Sequence, residues 1–575
     1  MRGRLRIESS TLAWLGLGVL LVFTAAVVLR ETRDTLLWGD EWTWALYRRG
    51  AGAETFLAPH NGHLSLVPLM IYKALFATAG MTHSLPYRVM VVIGHCGCAA
   101  LLYAYARRRI GPLAALLPTA VLLTLGPAWQ VFLWPFQVAW LISLSAGLGV
   151  LLALDRGDRR GEIWAALLLA LALASSGIGV PIAAGLVVEV IGRRRSWWVL
   201  AVPLALYALW WTVYQDSNFF RHNVVLAAQF AADAAGGSLA ALAGLTEGHL
   251  DAHGTFIDAG AALDWGRPLL AAGAVLLAWR LVRLGRISVR VLALLAMAVT
   301  FWLLSGLQRV GVSSPDASRY LYVGGLLVLL IAVELLRGVR VGSEVAVVAA
   351  ALTAVVVVSN LGDLRQGARS LRAQALVSRA DLGALELARA NVPPDYAAVR
   401  FPGVPFVTIG AKEYYAAARD FGSPALSPQE IATTPSGEAR IAADLELAKI
   451  DGLLPQSSTE RPGPTPPDVD AAVGGQVRTS GGCVHFRASA AILPGAITEL
   501  QVTLPPSGLL LTAEGGPVSV TPRRFTPVFP SDPVARLVPG GSSVLRPTRD
   551  RAPQPWHVRL STQAGVRACG LPPAA

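Results

Sequence analysis

Charge is what this sequence has least of. Only 15% of its 575 residues are Asp, Glu, Lys or Arg, against about 25% in an ordinary soluble domain. With 54% apolar residues and a mean hydropathy of +0.51, too little polar surface exists to clothe a water-soluble particle of this length. A soluble globular class is therefore excluded, and a polytopic α-helical membrane protein remains. Cysteine is also scarce, with four in the chain. Cys96 and Cys98 lie inside an apolar run, at a spacing that points them in different directions on a helix, and read as buried small hydrophobes. Cys483 and Cys569 lie in the polar C-terminal region and form one disulfide if that region is outside the cytoplasm. Internal repeats are lacking as well. The net charge of +12 does not make a nucleic-acid surface, because the arginines fall in short clusters between apolar runs. That is the positive-inside pattern of a membrane topology.

What the chain does have is long apolar runs. The first, residues 11–29, follows Arg2, Arg4 and Arg6, which hold the N-terminus in the cytoplasm. It is too long for a signal-peptide core, and no small-residue cleavage site follows, so it is kept as a membrane helix. Residues 64–80 are apolar but carry Lys73 mid-run and read as an interfacial helix rather than a span. Runs at 86–105, 113–125, 138–154, 162–174, 178–191, 197–214, 268–282, 291–307, 320–336 and 345–359 then alternate so that the arginine-rich connections share one side. The total is about 11 spans, at roughly 20 residues each. Four connections fall on the outer side: 38–85, 126–137, 215–267 and 308–319. After Asn360 the apolar runs stop. The expected organisation is a transmembrane domain over residues 1–360, a juxtamembrane helical linker over 361–391, and an extracytoplasmic, mixed or mainly β domain over 392–575.

Chemistry-bearing residues gather in the outer connections. Trp38-Gly39-Asp40-Glu41-Trp42 places two adjacent carboxylates where the first helix emerges. They either cap an interfacial helix or supply a base that takes a proton from a hydroxyl. Adjacent residues on a helix point differently, so one of them, Asp40, is expected to be the base and Glu41 to orient a neighbour. His60-Asn61-Gly62-His63 follows. Two histidines three apart are short of a metal site, which needs at least a third ligand; they bind loop backbone, a donor phosphate or an acceptor sugar. Arg319 opens a late helix beside Tyr320, and it either snorkels to headgroups or forks onto a phosphate. Arg309, Arg221 and His222 are further outer cations. Trp129, Phe132, Trp134 and Phe136 crowd one outer loop and read as an interfacial belt, or as a stacking platform for sugar.

An acidic pair just after the first membrane helix, followed by interfacial helices, resembles the GT-C glycosyltransferases, among them the protein mannosyltransferases and aminoarabinose transferases. The resemblance implies a sugar taken from a polyprenyl-phosphate carrier on the outer membrane face, with Asp40 of the Asp-Glu pair as base. It further implies Arg319 of the Arg319-Tyr320 step as holder of the donor phosphate. The His60–His63 stretch departs from the aminoarabinose-transferase pattern.

The functional expectation is thus a lipid-linked-sugar-dependent glycosyltransferase of the cell envelope, acting on a glycan, lipid or protein acceptor. Its catalytic residues are Asp40 and Glu41, and its substrate-binding residues are His60, Asn61, His63, Arg221, His222, Arg309, Arg319 and Tyr320. No cofactor is assigned; a divalent cation is left open. The alternatives are a transporter or flippase, which would put ionisable groups inside the spans, and a structural glycan-binding envelope protein.

Overall fold

The computed structural model describes residues 2–214, 224–250, 256–339, 342–401, 404–450, 453, 455–489, 498–547, 550 and 552–573. The chain divides into two compact units, Met1–Arg372 and Ala373–Ala575.

The first unit is helical. It begins with α1 (Arg2–Glu31), α2 (Asp40–Tyr47), α3 (Ala53–Leu57), α4 (Leu66–Ala79), α5 (Leu85–Ile110), α6 (Leu116–Leu123) and α7 (Gln130–Leu133). Then follow α8 (Val138–Leu154), α9 (Arg159–Ser175), α10 (Gly179–Arg193), α11 (Trp198–Tyr214), α12 (Val224–Leu242), α13 (Leu263–Leu284), α14 (Val289–Arg309), α15 (Ser318–Leu335) and α16 (Ser343–Leu387). Among the described residues, seven helices are long and apolar enough to cross a membrane: α1 from Ser10, α5, the Pro135–Leu154 stretch containing α8, α12, α14, α15 and α16. The chain is a multi-pass membrane protein. Helices α9, α10 and α11 are shorter, and α13 carries Asp264, Arg267, Arg280 and Arg283 within its 22 residues.

Against the sequence expectation α6 is shorter, α4 stays short of a span as read for residues 64–80, and α12 falls within the connection expected over 215–267. The expected run 113–125 shrinks to the 8-residue α6, because Pro118 and the turn at Gly111 leave little chain for more. Helix α4 has 14 residues and a length of roughly 21 Å, well under a hydrocarbon core of about 30 Å. Helix α12 has 19 residues and the apolarity of a span, yet its close neighbours Gly306, Tyr320, Leu321, Gly324 and Gly325 all lie toward one end of α14 and α15. It crosses that end instead of following those helices. Arg267 of α13 forks onto Asp233 of α12 at 2.8 and 3.2 Å and fixes the crossing.

The opposite end of α14 and α15 is held by a buried ion cluster. Arg290 on α14 pairs with Glu189 on α10 and reaches Asp155, just past α8, at 3.2 Å. Arg109 on α5 bonds Asp155 at 3.0 Å and also pairs with Glu334 on α15, which accepts from Tyr105 as well. Glu189 is fully buried and Arg290 is 2% exposed, so each charge is answered inside the protein, as burial requires. These residues sit among the arginine-rich connections that the topology placed together.

In the second unit, helices α17 (Ala411–Phe421), α18 (Pro428–Thr433) and α19 (Gly437–Ile450) precede a six-stranded and a five-stranded sheet, both antiparallel. Ser427 and Glu430 form a reciprocal cap on α18. Strands Glu499–Thr503 and His557–Ser561 alternate buried and half-buried positions, the period of a strand with one face in a core. Asp444 of α19 accepts from the backbone N–H groups of Phe525 and Thr526 at 2.7 and 3.0 Å and ties helix to sheet. Cys483 and Cys569 are directly paired across neighbouring strands and form a disulfide, buried with Leu510, Val544 and Leu571.

Candidate active site

The acid pair opens α2. Gly39 precedes it with φ 54°, a left-handed conformation that suits glycine. Glu41 is fully buried. Its carboxylate accepts from the Trp38 backbone N–H at 2.8 Å, from Trp134 Nε1 at 3.1 Å and from the Tyr72 hydroxyl. Burial pushes its carboxyl up to about 8, against these three donors. Glu41 therefore holds α2, α4 and the 129–137 segment together from within.

Asp40 points elsewhere. Its side chain is 13% exposed and its Oδ1 lies 3.4 Å from His60 Nε2. Asn61 Nδ2 donates to the same oxygen at 3.1 Å. Among the described residues Oδ2 takes no protein hydrogen bond. Burial acts to raise the Asp40 carboxyl, but His60, Asn61 and the positive charge of Arg319 outweigh it. The group sits below the ordinary carboxylate value and is ionised at neutral pH.

His60 and His63 are joined by a two-residue turn. The His60 N–H donates to the His63 carbonyl and the His63 N–H to the His60 carbonyl, both at 2.9 Å. Asn61 and Gly62 carry φ of 51° and 80°, the paired left-handed conformation of a type I′ hairpin turn, for which Asn-Gly is the favoured dipeptide. Arg48 anchors the approach to this turn by donating to the carbonyls of Thr55, Ala58 and Pro59 at 2.7–3.1 Å. The ring of His60 packs against Trp44 and Phe136, with centroids 5.5 and 5.3 Å away. Burial first, and then the positive charges of Arg309 and His60, bring His63 down to about 4. It is a neutral hydrogen-bonding group and not a counter-ion for phosphate.

His63 lines a cavity of about 270 Å³. Its lining combines the polar groups of His63, Ser176, Ser305, Gln308, Arg309 and Arg319 with the apolar surfaces of Trp140, Ile178, Pro181, Tyr207, Trp211, Phe301 and Leu304. Arg309 ends α14 and Arg319 is in the first turn of α15, so the loop between them brings two guanidiniums to one space. Arg319 donates to Ser313 Oγ at 3.0 Å and lies 5.1 Å from the Tyr320 ring centroid. Tyr320 lines the cavity, is 4% exposed, and its hydroxyl has no partner among the described residues. Such a buried phenol oxygen is satisfied by something that enters the space. Trp211 lines the cavity and is 42% exposed.

Of the residues singled out in the sequence, Asp40, His60, Asn61, His63, Arg309, Arg319 and Tyr320 share this neighbourhood. Glu41 faces away from it. Arg221 and His222 lie outside the described residues. The aromatic loop is neither an interfacial belt nor a stacking platform. Trp129, Phe132, Trp134 and Phe136 are all buried; Trp134 packs on Trp38, Phe136 on Trp44, and Phe132 stacks on His95 at 4.5 Å. They form the floor under α2. The Ser176-Gly177 turn between α9 and α10 is legible in the sequence as the break between two short apolar runs, but not as part of the site. A Cβ on Gly177 would lie 2.5 Å from His63 Nδ1, so only glycine lets that ring take its place. Among the described residues no three His, Cys, Asp or Glu side chains form a group that could hold a metal ion.

No protein-family model matches this chain, and no curated protein does. Two of the solved structures similar to it are as follows. One is arabinosyltransferase EmbB from Mycobacterium smegmatis, at 12% identity and a TM-score of 0.37, over 97% of this chain and 64% of that one. The chain thus spans less than two thirds of the EmbB structure's length. The other is ArnT from Cupriavidus metallidurans, solved with undecaprenyl phosphate, at 15% identity and a TM-score of 0.39, over 71% of this chain and 89% of that one. Both are GT-C glycosyltransferases. Both TM-scores are low, so the site itself has to carry any functional conclusion.

Proposed function

We propose that this protein is a membrane glycosyltransferase that moves a sugar from a polyprenyl-phosphate carrier to an envelope glycan, lipid or protein acceptor. The observation that supports this most is the mixed lining of one cavity. Arg309, Arg319 and the Tyr320 hydroxyl, which has no partner among the described residues, share that lining with Trp140, Tyr207, Trp211 and Phe301, and Asp40 is bonded to Asn61 of the turn whose Gly62 also lines it. A ligand with an anionic head and a long apolar tail matches both kinds of lining. A soluble nucleotide sugar does not use the second.

In this reading the acceptor hydroxyl approaches Asp40 Oδ2. Its oxygen attacks the anomeric carbon as its proton passes to the carboxylate. The bond from that carbon to the phosphate oxygen breaks, and polyprenyl phosphate leaves with its charge held by Arg309 and Arg319. Displacement from the far side inverts the anomeric centre. Because Asp40 is a weak base, proton transfer comes late, when the attacking oxygen has already become acidic. The proposal takes the Asp40 end of the bundle as the outer face and the N-terminus as cytoplasmic, and the C-terminal domain as extracytoplasmic.

The test is transfer by purified protein in lipid nanodiscs, offered radiolabelled pentoses and hexoses on undecaprenyl phosphate. Label should move to an acceptor fraction from at least one lipid-linked donor. Transfer from nucleotide sugars, with none from lipid-linked ones, would contradict the proposal.

A further inference from the structure

The hairpin turn at Asn61-Gly62 does two things that a stretch of loop would not. It sets His60 and His63 opposite each other through a reciprocal pair of backbone bonds, and it spends its side chains on different targets. His63 goes to the cavity wall, while His60 and Asn61 both turn to Asp40. The two contacts to Asp40 fall on one oxygen, Oδ1. His60 is 7% exposed and lies against Trp44 and Phe136, so its ring cannot swing away to meet a ligand in solvent.

We infer that His60 is a positioning residue for Asp40: its Nε2, together with Asn61 Nδ2, holds Oδ1 and leaves Oδ2 as the oxygen that meets the acceptor hydroxyl. This rests on the reading of Asp40 as the base. It moves His60 out of the substrate-binding set and gives the turn a mechanical purpose. The segment that fixes the carboxylate also carries His63 into the cavity, so the base and the substrate wall keep one register. His60 Nε2 lies 3.4 Å from Oδ1, an ion-pair distance without hydrogen-bond geometry, and Asn61 Nδ2 supplies the hydrogen bond to the same oxygen at 3.1 Å. The aromatic rings of Trp44 and Phe136 keep water from competing for that contact.

The test uses the full-length protein and whichever undecaprenyl-phosphate sugar the wild type turns over. His60→Ala removes the ring, and His60→Gln puts an amide N–H where Nε2 stood. The expected result is a fall in kcat of about 10- to 100-fold for His60→Ala, with the donor KM nearly unchanged, and recovery of most of that loss in His60→Gln. The acid limb of the pH–rate profile should move to higher pH in His60→Ala, because Asp40 loses a group that favours its ionised form. Equal losses in both variants, with the pH profile unmoved, would overturn the inference and leave His60 as packing. Wild-type kcat in His60→Ala would overturn it as well. Should His60→Ala fail to fold, the kcat and pH profile of His60→Gln against His60→Phe decide between the same two outcomes. Asp40→Asn, measured alongside, separates the two levels. If it is inactive while His60→Ala is normal, only the positioning role falls; if it is fully active, the base itself has been misassigned.

Discussion

Asp40 and Glu41 are neighbours in the chain, yet their carboxylates occupy opposite surroundings. Glu41 is sealed among the Tyr72 hydroxyl, the Trp38 N–H and the Trp134 indole, while Asp40, bonded through Oδ1 to Asn61, has no hydrogen bond to Oδ2 among the described residues. One turn of helix thus divides a paired motif into a structural acid and a reactive one. The division is what makes the pair experimentally separable.

Asp40→Asn should lower sugar transfer by about 10²- to 10⁴-fold, the usual worth of a general base, with little change in melting temperature. Glu41→Ala should do the reverse at the level of the fold. It takes the acceptor from the buried Tyr72 hydroxyl and the Trp38 N–H, while the Trp134 indole keeps the Trp38 carbonyl at 3.0 Å; a buried donor left unsatisfied costs about 1–3 kcal/mol, so thermal melting in detergent should drop. Equal melting temperatures for Glu41→Ala and wild type would contradict the structural role.

Glu41 also predicts a pH dependence of stability. Its carboxyl is raised from an ordinary 4.5 to about 8 in the folded protein. The folded state therefore binds the proton more tightly than the unfolded chain does. Its contribution is complete below pH 4.5 and is lost as pH rises through about 8. Melting temperature measured from pH 5 to 9 should decline over that range, and the decline should be smaller in Glu41→Gln.

Arg319→Lys keeps the charge and removes the planar fork. If the guanidinium grips a phosphate, about 1.5–3 kcal/mol of donor binding is at stake. That appears as a raised donor KM, with the change in kcat much smaller. A variant with unaltered KM would place the phosphate elsewhere.

Arg290→Met leaves Glu189 and Asp155 short of a cation at the buried end of α10 and α14. Removing one partner of a buried ion pair costs about 3–5 kcal/mol. The fall in denaturation midpoint should be partly restored by adding Glu189→Gln, since the orphaned charge is then gone as well.

Much of the membrane unit was legible because each signal was strong and local. Residues 138–154 emerge as α8 with the same limits, and 320–336 become α15 within two residues, since long apolar runs bounded by arginine or turn residues leave few choices. The alternating stretches 499–504, 518–521 and 557–561 read as strands and emerge as Glu499–Thr503, Val518–Arg523 and His557–Ser561. What stayed hidden was which polar residues meet. The His60–His63 spacing resembles that of a metal-ligand pair in the sequence, whereas the Asn61-Gly62 pair between them is a turn signal that sets the two residues opposite each other along the backbone. The aromatic loop was read by composition as a membrane belt, because only tertiary contacts show that α2 lies on top of it. The wall formed by Ser176 and Gly177 depends on α9 and α10 rising to the same level as His63, 113 residues away in sequence from the nearer of them, a fact that periodicity cannot encode.

The most direct measurement is the position of the phosphate of undecaprenyl phosphate bound to the purified protein in nanodiscs, resolved by electron cryo-microscopy. The account predicts the phosphate within hydrogen-bonding reach of Arg309 and Arg319, with the prenyl chain leaving past Trp211. A headgroup seated at the arginine-rich end of the bundle, with the cavity beside Asp40 unchanged, would contradict it.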